Sequence, residues 1–167
     1  MSIPVFVSCP STLTEQQEQV RRLLRIELEH LRLEPRTLGR SDYPINNPLK
    51  EVKVLAKHCS GGVILGFSQV LVTSGILKPD TEQQKEIQNR RLASPWNDLE
   101  AGILFALGIP LLVFCEDGVS GGVFDLGTGD LFIHSMPGAS PSEETLDGVK
   151  GILLRWYGQV QQHYYRD

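Results

Sequence analysis

The sequence predicts a single α/β domain built on a mainly parallel sheet of about five strands flanked by helices. Three observations carry this expectation. Short apolar runs alternate along the chain with helical segments, the pattern of a parallel sheet with helices on both faces. The 167 residues fit one domain, with enough chain to bury a core without disulfides or metals. No internal repeat, low-complexity tract or domain linker interrupts the chain.

The elements follow in order. Residues 3–8 read as a first strand, stopped by Pro10. Residues 13–33 read as an amphipathic helix, with Val20, Leu23, Leu24, Leu28 and Leu31 at helical spacing. A short second strand at 34–38 leads into the polar turn GRSDYPINNP, and 49–59 form the next helix. GGVILG, at 61–66, is a buried strand. Residues 67–93 are the least regular stretch and read as an inserted loop with a polar helical piece at 82–91. A helix then opens with Ser94 as N-cap and Pro95 in the first helical position. Gly108 stops that helix and Pro110 lies just beyond. A buried strand at 111–114, a glycine-rich loop at 116–129, a last strand at 131–134 and a helix at 144–164 complete the chain.

Composition excludes several classes of function. Hydrophobic residues make up 41% and charged residues 22%, with a formal net charge of −4. A nucleic-acid surface or a polybasic membrane anchor would need a basic excess. No stretch approaches the roughly 20 apolar residues of a membrane span. The start MSIPVFVSCPS lacks the basic region of a signal peptide. Cys9, Cys59 and Cys115 have no CxxC spacing, so reduced thiols in a cytoplasmic protein are expected, and no metal site.

In open parallel sheets ligands bind beyond the carboxyl ends of the strands. Here those ends are SCPS, GRSDYP, GFSQ and CEDGVSGG. They supply Ser8, Cys9, Pro10, Arg40, Asp42, Tyr43 and Phe67 as substrate-binding candidates, joined by Trp96 and Asn97 from the helix that follows. Glu100 is the candidate catalytic residue. It is the only charge within LEAGILFAL, a run so apolar that its helix is expected to be buried on most of its surface. Ile103, Leu104 and Leu107 share its face, and Trp96 and Asn97 stand one turn earlier. A carboxylate against such a wall is expected to have a raised pKa. The structural alternative is a glutamate that merely favours the positive end of the helix dipole, a part Asp98 fits better.

Other residues carry weaker signals. Cys9 lies at the productive edge, but no spacing pairs it with a histidine, and a buried thiol is the ordinary role. Arg36 and Arg40 flank the second strand's end and suit a phosphate or simply solvent. The glycines of GVSGGVFDLGTGD permit close backbone approach to a phosphate, or serve as turns; no GK[ST] follows them. Asp125 and Asp130 could meet ribose hydroxyls or water. Trp156, Tyr157, Tyr164 and Tyr165 make the last helix aromatic, for core packing or a subunit contact.

The run Ser94-Pro95-Trp96-Asn97-Asp98-Leu99-Glu100 resembles the S-x-W-C-x-x-E motif of TIR domains that hydrolyse or cyclise NAD, with Asn97 in the cysteine position. PVFVSCP resembles their opening strand, and Arg40-Ser41-Asp42-Tyr43-Pro44 their loop after the second strand. Glu100, Gly102, Ala106, Gly108 and Pro110 are also similar to the E-x-G-x-x-x-A-x-G-x-P helix of nucleoside 2-deoxyribosyltransferases, although the D-x-G-T run of that family is missing. Both resemblances imply a three-layer, flavodoxin-like fold and a catalytic glutamate at Glu100 that breaks a ribose N-glycosidic bond.

The resulting expectation is an N-glycosidase acting on NAD or a related nucleotide, which by resemblance serves antiviral defence as a hydrolase or cyclase. NAD enters as substrate, and no cofactor is expected. Nicotinamide leaves a cationic ring as a neutral molecule, so one carboxylate can suffice, whereas a neutral nucleoside needs a protonating group as well. The alternatives are a nucleoside or nucleoside-5′-monophosphate hydrolase or deoxyribosyltransferase, and a non-catalytic nucleotide-binding or assembly module. A homo-oligomer is expected from residues 67–93 and the aromatic last helix.

Overall fold

Alternation within single strands organises the core. In a computed structural model that describes residues 2–39, 47–125 and 132–166, strand β1 (Ile3–Ser8) turns Ile3, Val5 and Val7 to one face of the sheet and Phe6 to the other. β3 (Gly62–Gly66) divides Val63 and Leu65 from Ile64 in the same way, and β6 (Leu111–Cys115) divides Leu112 and Phe114 from Val113. Strands with apolar residues on both faces need cover on both. Helices α1 (Glu15–His30) and α4 (Glu143–Tyr164) cover the first face, and α2 (Pro48–Lys57) and α3 (Pro95–Ala106) the second.

The sheet has five strands in the order β2-β1-β3-β6-β7, all pairs parallel, with β2 (Leu33–Arg36) and β7 (Ile133–Ser135) at its edges. Pro35 is tolerated because β2 is an edge strand. The chain leaves β1 to one side for β2 and returns to the other side for β3, so the order reverses between β1 and β3. That is where a doubly wound sheet opens a crevice.

Local chemistry explains the helix starts. Thr14 and Gln17 form a capping box at α1: the Thr14 side chain accepts from Gln17 N, and Gln17 Oε1 accepts from Thr14 N. Ser94 caps α3 by accepting from Trp96 N, with Pro95 behind it. Trp156 of α4 is buried, and its indole N–H donates to Pro110 O, so packing accounts for this aromatic.

Two expectations need correction. The polar helical piece at 82–91 does not exist. Residues 70–92 form an antiparallel ribbon of β4 (Val70–Leu77) and β5 (Lys85–Leu92), outside the main sheet. VLVTSGIL is rich in β-branched residues, and once it extends, Lys85–Leu92 pairs with it. Also, α3 is not buried on most of its surface. It buries Asn97, Glu100, Ala101 and Leu104 on one side, while Trp96, Leu99 and Phe105 are exposed on the other. No helix among the described residues is long and apolar enough to cross a membrane.

Candidate active site

At the carboxyl edge beside the β1–β3 switch, a cleft of about 300 Å³ lies between the end of β1 and the first turns of α3. Ser8, Cys9, Pro10, Trp96, Asn97 and Glu100 all line it, so six residues singled out from the sequence converge on one cavity. Phe67 does not join them: it is 1% exposed and packs in the core beneath α1 and α4. Arg40, Asp42 and Tyr43 lie outside the described residues.

Glu100 is 8% exposed. Burial pushes its carboxyl up from 4.5 to about 7, and a hydrogen bond with the Ser8 side chain pulls the other way. Its position on α3 follows from the Ser94–Pro95 start, which sets the helical phase and turns Asn97, Glu100 and Ala101 inward. Asn97 is almost fully buried. Its Nδ2 donates to Ser8 Oγ at 2.8 Å and reaches Leu65 O at 3.4 Å, tying α3 to both β1 and β3. Its Oδ1 is buried with no protein partner among the described residues, the kind of unsatisfied acceptor that native cores rarely leave unexplained. Trp96 keeps 47% of its surface exposed at the mouth, where an indole face suits a planar base.

Several neighbours escaped the sequence reading. Ser11, Thr12, Leu38, Gly39, Pro48 and Gln69 also line the cleft. Ser11 and Gln69 lie within the SCPS and GFSQ edges without having been singled out, and Thr12 directly follows the first of them. Glu116, directly after β6, accepts from Gln17 Nε2 at 2.9 Å and from Ser68 N at 2.5 Å, and so fastens the ribbon's base to α1.

The weaker candidates are placed elsewhere. Asp98, read as a dipole residue, also accepts from Val123 N at 2.8 Å and holds the short 3-10 turn Gly122–Phe124. Asp125 accepts from Gly121 N at 2.6 Å within its own loop. Arg36 lies 3.6 Å from Glu34 along β2. Asp130 is outside the described residues. Cys9 Sγ points to Pro10 O at 3.6 Å. The Cys115 thiol is pushed up by burial and by the acids Glu116, Asp117 and Asp125, which keeps it protonated. Among the described residues, no three His, Cys, Asp or Glu side chains cluster as metal donors.

The sheet, its order and its helical layers define a single-domain α/β protein of flavodoxin-like type. No family profile matches the chain, and no curated protein matches it. Among solved structures, the metal-soaked Flv1 flavodiiron core from Synechocystis sp. PCC6803 is similar, with a TM-score of 0.52 and 10% sequence identity over 97% of this chain. This chain spans 36% of that one, so it matches about a third of its length. A diflavin flavoprotein A3 from Nostoc sp. aligns with a TM-score of 0.46 and 12% identity, covering 98% of this chain and 95% of its own. The likeness to the Flv1 core is one of fold.

Proposed function

We propose that the chain is an N-glycosidase that breaks the ribose–base bond of NAD or a related nucleotide, with Glu100 as its catalytic carboxylate. The observation that carries this reading is the buried Glu100 carboxyl, raised to about 7, in the cleft at the sheet's switch point. Breaking the C1′–N bond of NAD sends the bonding pair to the pyridinium nitrogen and releases neutral nicotinamide. Positive charge then develops on the ribose, and an ionised Glu100 stabilises it. Water adds at C1′ and gives up a proton, which a carboxylate of pKa near 7 accepts readily. Trp96 stacks on the base or ribose, and Ser8 orients the carboxyl.

A second reading rests on the same value. At neutral pH a carboxyl of pKa about 7 is protonated about half of the time, and the acid form could protonate the base of a neutral nucleoside. The pH dependence separates the two. Cleavage of NAD by the ionised form rises as pH passes upward through about 7, whereas nucleoside cleavage by the acid form falls.

The deciding assay incubates the full chain with NAD and with nucleosides and follows base release by chromatography. NAD consumption is expected, and Glu100→Gln is expected to lower the rate on the order of 10²–10³-fold, the size of losing one transition-state donor. An unchanged rate in a folded Glu100→Gln protein refutes the reading, and tight binding without turnover supports a non-catalytic module. The similar Flv1 structure is that of a flavodiiron core. NAD serves here as substrate without a resident cofactor, and a visible flavin spectrum in the purified protein would count against that.

A further inference from the structure

Two cavities meet at the carboxyl ends of β1 and β2. The Glu100 cleft, at about 300 Å³, is at the small end of ligand sites and accommodates one nucleoside half. A larger cavity of about 660 Å³ lies under α1, on the opposite face of the sheet. Ser11 and Gly39 line both, so the cavities share a boundary at the sheet edge.

The larger cavity has an apolar floor and a cationic rim. Leu24, Leu28 and Val63 lie in its floor, each no more than 2% exposed. Arg21 and Arg25 stand one helical turn apart along its wall. Each places its Nε on a neighbouring glutamate, Glu18 at 2.7 Å and Glu29 at 2.8 Å. Among the described residues neither guanidinium's two terminal nitrogens meet another anion, and a guanidinium fork suits phosphate. In a chain of net charge −4, this pair sets cationic groups apart from the buried Glu100 carboxyl. A phosphate held there avoids that carboxylate, while an apolar floor accepts a planar base.

We propose that the α1 cavity is a second subsite, which takes the base and phosphate distal to the scissile bond. A dinucleotide then crosses the sheet edge at Ser11 and Gly39 and presents its reactive ribose to Glu100. This rests on the reading of Glu100 given above and extends it to the length of the substrate. A nucleoside would fill only the smaller cleft.

Calorimetry on the full chain tests the subsite without turnover, using ADP-ribose and ribose 5-phosphate as probes. ADP-ribose is expected to bind at least about tenfold more tightly, because only it reaches both cavities. Two variants are compared, each first shown to melt as the parent does. Arg21→Ala/Arg25→Ala removes the cationic rim, and Thr37→Trp fills the larger cavity, which Thr37 alone of these three borders without charge. Both are expected to weaken ADP-ribose about tenfold or more and to leave ribose 5-phosphate unchanged. Equal binding of the two probes by the parent, or ADP-ribose affinity that survives in both variants, overturns the subsite. Failure of the glycosidase reading shows in the Glu100→Gln rate instead, so the two failures are distinguishable.

Discussion

Ser8 sits between two groups that differ in what they ask of it. Asn97 Nδ2 donates to its oxygen at 2.8 Å, and the Glu100 carboxyl shares its hydrogen bond on the other side. A hydroxyl that accepts from one partner is set to donate to the next. Asn97 therefore aims the Ser8 proton at Glu100, and that donation favours the ionised carboxylate against the cost of burial. Ser8→Ala removes the donor. The Glu100 carboxyl should rise above about 7, and the rising limb of the pH–rate profile for NAD cleavage should move to higher pH. A profile that stays in place would separate Ser8 from the carboxyl. Glu100 itself was legible in the sequence, as the lone charge in an apolar helix. Ser8 and Asn97 were legible as edge and helix candidates, but the bond between them was not: they stand 89 positions apart, and only the meeting of β1 with α3 brings them together.

At the scale of elements, the β4–β5 ribbon depends on its attachment. Isolated two-stranded ribbons are marginal in water, and here Val70, Leu71 and Ile76 are exposed. The base is fastened by Glu116 to Ser68 N and Gln17, by Gln69 N to Leu92 O at 2.8 Å, and by Arg90 Nε to Ser120 Oγ at 2.9 Å. Glu116→Leu would leave the Ser68 N–H without its acceptor and the buried Gln17 amide with only the longer contact to Ser68 O at 3.4 Å. A loss of roughly 1–3 kcal/mol is expected, measurable by urea unfolding, together with faster proteolysis of the ribbon. The ribbon was also the least legible element. Its strands bury no face against the core, so 70–77 and 85–92 lack the alternation that marked β1. The charged residues of 82–91 instead imitated a solvated helix. By contrast α1 and α3 announced themselves through Thr14–Gln17 and Ser94–Pro95, because caps are local chemistry. The strands β1, β3 and β6 were legible from their apolar runs alone.

For the whole molecule, the buried carboxyl makes stability depend on pH. Glu100 in the folded chain has its pKa raised from 4.5 to about 7. Folding is then favoured by the proton that Glu100 retains: the full benefit is present below pH 4.5 and is lost as pH rises through about 7. The difference amounts to about 3 kcal/mol between those limits. Glu100→Gln should therefore match the parent near pH 4 and exceed it in stability near pH 8, which chemical unfolding at the two pH values checks. A constant difference across that range would mean that Glu100 is not the titrating group. The chain also carries two tryptophans in contrasting settings: Trp96 is 47% exposed at the cleft mouth, and Trp156 is 4% exposed in the core on the other side of the sheet. Each indole thus emits from its own environment. Collisional quenchers in solvent reach Trp96 and spare Trp156, so a single fluorescence spectrum resolves occupancy of the cleft from integrity of the fold without any attached dye.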